Sequence, residues 1–172
     1  MFAWDNYKII HRDIKPQNIM VSTTNIIKIV DLGLAKPMNT TDPDYDMPEL
    51  TNAGVPIGTP HYMAPEQATG EVDVDFLADI YALGATIYEV IAGQKAFSGA
   101  TAPMIYMAQI QKKYEPLENL RADVPQELTD LVYKMLEPER PDRISSYGEI
   151  LEALAHMQDG GSPGKFTSVP GG

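Results

Sequence analysis

His11, Arg12, Asp13, Lys15 and Asn18 stand in one string, HRDIKPQN, and a second carboxylate, Asp31, opens a DLG string thirteen residues after Asn18. These residue types at this spacing suit phosphoryl transfer from ATP. Asp13 can orient and deprotonate a hydroxyl. Asn18 and Asp31 offer the hard oxygen ligands that magnesium takes. Lys15, two residues beyond Asp13, can neutralise charge on a transferring phosphoryl group. A lone Asp as readily caps a turn, and a three-residue piece such as His-Arg-Asp arises by chance. The whole string followed by DLG does not do so readily.

The elements that must position these side chains can be read around them. Residues 1–7, MFAWDNY, look like the last turn of a helix, and Lys8–Ile10 reads as a short strand leading into the string. Residues 19–21 (IMV) can pair with the β-branched run 25–30 (NIIKIV) across the turn-forming STTN. From Asp31 to Glu66 there is little periodicity and much Pro, Thr, Asp and Asn, and such a loop is either functional or disordered. Phe76–Ala92 reads as a buried helix, nearly encircled by Leu77, Ile80, Leu83, Ile87, Val90 and Ile91 and closed by Gly93. Ala102–Gln111 and Gln126–Leu136 predict amphipathic helices, the second opened by Pro125. Ser145 is the expected cap of a last helix that runs to about Met157. Residues 158–172 are rich in Gly, Pro and Ser and read as a flexible tail.

At 172 residues, 44% hydrophobic and 8% aromatic, the chain is long enough for one domain with its own core. It has no cysteine, which excludes disulfides and thiolate metal sites, and its 3 scattered histidines argue against zinc. A net charge of −11 argues against a nucleic-acid surface and reads first as a solvated acidic exterior. No apolar run reaches membrane-spanning length and no secretory signal opens the sequence, so a cytoplasmic location is expected.

In its strings the chain resembles the eukaryotic-type protein serine/threonine kinases. The matches are HRDIKPQN at 11–18, DLGLA at 31–35, GTPHYMAPEQ at 58–67, DIYALG at 79–84 and Arg143 ahead of ISSYGEIL, in family order over residues 4–156. GTPHYMAPEQ has the flavour of the bacterial members. The resemblance implies a mainly α, C-terminal large lobe of an α+β kinase fold, over 1–157, with a short β-hairpin at the catalytic loop. It implies ATP and Mg2+ as cofactors, protein substrates with Ser or Thr hydroxyls, and an activating kinase acting in trans. Asp13 would be the catalytic base, Lys15 would touch the γ-phosphate, and Thr59 would bond both and line the hydroxyl site. Asn18 and Asp31 would ligate magnesium, and Met20 would lie in the floor of the adenine pocket. Leu32 takes the place of the usual Phe and keeps its apolar character. The long loop would be the activation segment, with Thr51 its phosphosite, Thr40 and Thr41 next, and Arg12 the group that binds the phosphate. His11 would pack under the catalytic loop, and Asp79 would hold that loop's backbone. Glu66 would form a buried ion pair with Arg143, or with Arg140, since PERPDR offers two arginines.

No glycine-rich Gly-x-Gly-x-x-Gly string occurs, and Lys8, the one lysine before the catalytic loop, sits in the wrong context for the lysine that grips α/β-phosphates. The small lobe is therefore expected to be absent, which would expose apolar surface on 77–91 and leave the chain marginally stable alone. Two readings follow: a kinase fragment that transfers the ATP γ-phosphate, or a noncatalytic one-lobe binding module of kinase origin.

Overall fold

The ends of the HRDIKPQN string are carried by two short antiparallel ribbons. The computed structural model describes residues 9–31, 36–37, 59–71 and 73–158. Its strands are β1 (Ile9–Ile10), β2 (Ile19–Val21), β3 (Ile27–Ile29) and β4 (Lys36–Pro37). β1 pairs with β4, Ile10 opposite Lys36, and β2 pairs with β3, Ile19 opposite Ile29. The β2–β3 turn is built by its own side chains. Ser22 Oγ accepts from the N–H groups of Thr24 (3.3 Å) and Ile26 (3.0 Å), and Asn25 takes a left-handed φ of 58°, which Asn tolerates.

Six helices follow among the described residues: α1 (Pro65–Ala68), α2 (Leu77–Ala92), α3 (Ala102–Ile110), α4 (Leu117–Leu120), α5 (Gln126–Met135) and α6 (Tyr147–Gln158). α2, α3 and α5 lie where the sequence predicts them, within one residue at each end. α1, α4 and the 3-10 turns at Pro16–Asn18 and Arg140–Asp142 are too short for periodicity to reveal. Gly93 ends α2 at φ 70°, its N–H donating to Glu89 O at 2.8 Å. The cap of α6 is Ser146 and not Ser145. The Glu149 N–H donates to Ser146 Oγ at 3.2 Å, the reach from a cap to the third helical residue, while the Ser145 hydroxyl donates to the Glu149 carboxylate. α6 also runs to Gln158, one residue into the expected tail, and the rest of that tail lies outside the described residues.

α2 is the central helix, but its most buried face is not its aliphatic one. Ala78, Ile80, Tyr81, Ala82, Gly84, Ala85 and Tyr88 are buried, whereas Leu83, Ile87 and Ile91 are partly buried and Val90 is 70% exposed. Small residues let α5 approach closely: a Cβ added at Gly84 would stand 2.8 Å from Met135 Cβ. The space beside them is filled by rings. Tyr81 stacks on Phe97 with centroids 6.3 Å apart, Phe97 meets Tyr114 at 5.8 Å, and Tyr114 stacks on Tyr133 at 5.1 Å. Their hydroxyls find partners at the rim: Tyr88 Oη donates to Glu115 O at 2.6 Å and Tyr133 Oη to Glu118 at 2.7 Å. Among the described residues no helix is long and apolar enough to cross a membrane.

Candidate active site

The loop between β1 and the first 3-10 turn has little regular hydrogen bonding of its own. Its backbone is held instead by Asp79, in the first turn of α2, whose two carboxylate oxygens accept the N–H groups of His11 (2.8 Å) and Arg12 (2.9 Å). This fixes Arg12 at φ 65°, a left-handed conformation that a side-chain-bearing residue adopts only when its surroundings impose it. Burial raises the Asp79 carboxyl above the usual carboxylate range, and the two backbone bonds and the facing His11 and Arg12 oppose that rise. Burial lowers the Arg12 guanidinium, with Asp79 acting the other way. Arg12 Nε is buried with no partner among the described residues, and His11 is buried with Nε2 likewise unpartnered.

Beyond Arg12 the loop turns Asp13 into a shared site. Lys15 Nζ lies 2.7 Å from Asp13 Oδ2 and 3.4 Å from Thr59 Oγ1, so one ammonium bridges two residues far apart in sequence. Asn18 Nδ2 donates to the same Asp13 Oδ2 at 2.9 Å and to the Asp13 carbonyl at 2.8 Å. Both donors pin one carboxylate oxygen, and Oδ1 remains to take a proton from a hydroxyl. Asp31 is brought alongside by the hairpin register: the Val30 N–H donates to Asn18 O at 2.9 Å, and Asp31, at φ 67°, is the next residue.

The donor set fits magnesium. Asn18 spends its amide N–H groups inward on Asp13, which turns its carbonyl oxygen into the end available to a hard cation. Among the described residues no group of three or more His, Cys, Asp or Glu forms a self-sufficient metal cage. Two protein oxygens completed by phosphate oxygens and water is the arrangement magnesium prefers. Met20 lies on β2 and is 59% exposed, beside the exposed Val21, Ile27 and Ile29. Thr51, Thr40, Thr41 and Leu32 lie outside the described residues.

The segment that supplies Thr59 is tied down by residues the sequence did not single out. His61 Nδ1 sits 2.9 Å from Phe97 O, and Tyr62 Oη donates to the Glu89 carboxylate at 2.5 Å. Burial first, and that carboxylate second, push the Tyr62 phenol up. Gln109 of α3 donates to the carbonyls of Pro60 and Met63, each at 3.0 Å. His61 and Tyr62 lie within the GTPHYMAPEQ string, but nothing in the sequence marks Phe97, Glu89 or Gln109 as their region's partners, because each acts across a tertiary contact. The segment ends on Glu66, which faces Arg143 and not Arg140. Arg143 Nη1 donates to Glu66 Oε1 at 2.7 Å and Nη2 to Oε2 at 3.0 Å, both side chains buried. Arg140 instead reaches the exposed carboxylates of Glu71 (2.8 Å) and Asp73 (3.4 Å).

The family model of the protein kinase domain matches residues 3–157. The chain belongs to the protein kinase domain family. It is 35% identical over 150 residues to a probable serine/threonine-protein kinase of Clostridium perfringens, covering 87% of this chain and 21% of that protein. It is 34% identical over 155 residues to the serine/threonine-protein kinase PknB of Mycolicibacterium smegmatis, covering 90% of this chain and 24% of the relative. With the serine/threonine-protein kinase PknA of Mycobacterium tuberculosis it shares 33% over 162 residues, 94% of this chain and 35% of that one. The chain thus spans about a fifth to a third of the length of these curated relatives.

Proposed function

We propose that this chain is the large lobe of an ATP-dependent protein serine/threonine kinase. The observation that carries the reading is the Lys15 bridge, 2.7 Å to Asp13 and 3.4 Å to Thr59. It gathers a base, a cation and a hydroxyl-bearing residue where an acceptor hydroxyl would have to sit. Asp13 Oδ1 takes the proton of the substrate Ser or Thr hydroxyl. The hydroxyl oxygen bonds to the γ-phosphorus as the bond from that phosphorus to the β–γ bridging oxygen breaks, and ADP leaves with the electron pair. Lys15 shifts from Asp13 toward the transferring phosphoryl oxygens and offsets their charge. Asn18 and Asp31 are the residues that would hold magnesium, which when bound neutralises phosphate charge. Arg12, whose buried Nε has no partner among the described residues, would receive a phosphate carried by Thr51. ATP as the phosphate donor fits a cytoplasmic location.

Labelled phosphate transfer from ATP to a threonine peptide tests the reading. The 172 residues alone, with no glycine-rich loop to cover the nucleotide, are expected to transfer none. The polypeptide encoded by the whole locus is expected to transfer phosphate and to lose at least about 100-fold in Asp13→Ala, the scale of general base catalysis. Retention of the biological role in Asp13→Ala and Asp31→Asn would favour the noncatalytic binding module instead.

A further inference from the structure

Gln109 is fully buried on α3, yet its side chain does not serve α3. Its Nε2 donates to the carbonyls of Pro60 and Met63, 3.0 Å each, and no other described donor reaches these two oxygens. Its Oε1 is buried with no partner among the described residues. Were the side chain there only to fill space, an apolar one of the same length such as Met would serve. What an amide gives here, and Met cannot, is two donors in a fixed plane that set the distance between two carbonyls of one loop. That loop follows Thr59, which lies 3.4 Å from Lys15, so its backbone leads away from the acceptor-hydroxyl position. The turn between the two carbonyls is short, with the Tyr62 N–H donating to Thr59 O at 3.1 Å. Met63 is buried at its far end, where its Sδ meets the Tyr106 hydroxyl of α3 at 3.7 Å.

We propose that Gln109 is a positioning residue for the protein substrate: it holds residues 60–63 in the shape that receives the polypeptide around the acceptor Ser or Thr. The proposal rests on the kinase reading above. It assigns to α3 a share in substrate affinity without contact to ATP.

The test uses the 172-residue chain, Gln109→Met and Gln109→Asn. Met keeps the length and removes both donors. Asn keeps the donors but is one carbon too short to reach both carbonyls, and it carries the test should Met fail to fold. Two readouts are taken on the same samples: amide hydrogen exchange at Tyr62 and Met63, and binding of a fluorescein-labelled peptide with a central threonine, with magnesium and a non-hydrolysable ATP analogue present. Each variant is expected to exchange at least about fivefold faster at these amides and to bind the peptide at least about fivefold more weakly, the worth of one lost hydrogen bond, with nucleotide affinity unchanged. Unchanged exchange and unchanged peptide binding would overturn the role of Gln109 and leave the kinase reading intact. Faster exchange in the variants, with no peptide bound even by the unsubstituted chain, would instead overturn substrate reception by this loop, while the phosphate-transfer assay above judges the kinase reading separately. A merely space-filling Gln109 would be replaced by Met with neither change.

Discussion

Arg143 uses all five of its N–H donors. Besides Glu66, they reach Glu137 O (2.9 Å), Leu77 O (2.8 Å) and Pro138 O (3.0 Å), and the guanidinium lies 5.0 Å over the Tyr81 ring. Removing one partner leaves the other charge buried and unpaired. Arg143→Met is expected to cost about 3–5 kcal/mol, read by urea unfolding, whereas Glu66→Leu with Arg143→Met should lose clearly less than the two single changes summed. A sum without coupling would show that the pair is solvated. The sequence favoured Arg143 as the partner of Glu66 and kept Arg140 as the alternative, because both stand in one hexapeptide. Arg143, directly after the 3-10 turn Arg140–Asp142, is the one that meets Glu66 of α1. That Asp13, Lys15 and Asn18 come together was legible, because they stand in one short string. Gln109, Tyr62 and Glu89 were not, since each meets its partner at least 27 residues away in sequence.

Among the elements, the α2–α5 crossing governs the stability of the scaffold under the loop. Gly84 lets the helices approach, with Met135 Cβ 2.8 Å from where a methyl would stand. Gly84→Ala is therefore expected to destabilise by about 1–3 kcal/mol through overpacking, although alanine is the better helix former. Gly148→Ala in α6 should do the opposite, since the added Cβ meets only Ser146 Oγ at 3.5 Å and the unfolded chain loses freedom, a gain of about 0.5–1 kcal/mol. Thermal midpoints of the two variants should move in opposite directions, and a shared direction would sink the crossing argument. The lengths of α2, α3 and α5 were legible from periodicity. The inner face of α2 was not: its aliphatic residues nearly encircle it, yet Val90 is exposed while the interior took Ile80, Tyr81, Tyr88 and the small residues. Close helix approach and ring packing, not hydrophobicity alone, chose the inner face.

At the scale of the whole molecule, the tyrosine-lined interior makes the fold sensitive to alkali. Burial first, then the carboxylates of Glu137 and Glu118 and the nearby Tyr88, push the Tyr114 phenol from 10.0 to about 12. The folded state thus holds this proton more tightly than the unfolded one. Its contribution is fully present below about pH 10 and is lost as pH rises through about 12. The thermal midpoint is expected to fall steeply across that window, together with the rise of tyrosinate absorbance, and Tyr114→Phe should flatten the fall. An unchanged slope in that variant would remove Tyr114 from the cause. The net charge of −11 was visible in the composition and says little about shape. By itself the sequence determined the family and the long helices, because motif spacing and 3.6-residue periodicity are local properties of a chain. The tertiary structure alone decided that Arg12 stands in a left-handed turn, that Tyr62 reaches Glu89, and that Gln109 reaches the loop after Thr59. Those outcomes depend on which distant surfaces meet, and a linear pattern carries no distance between them.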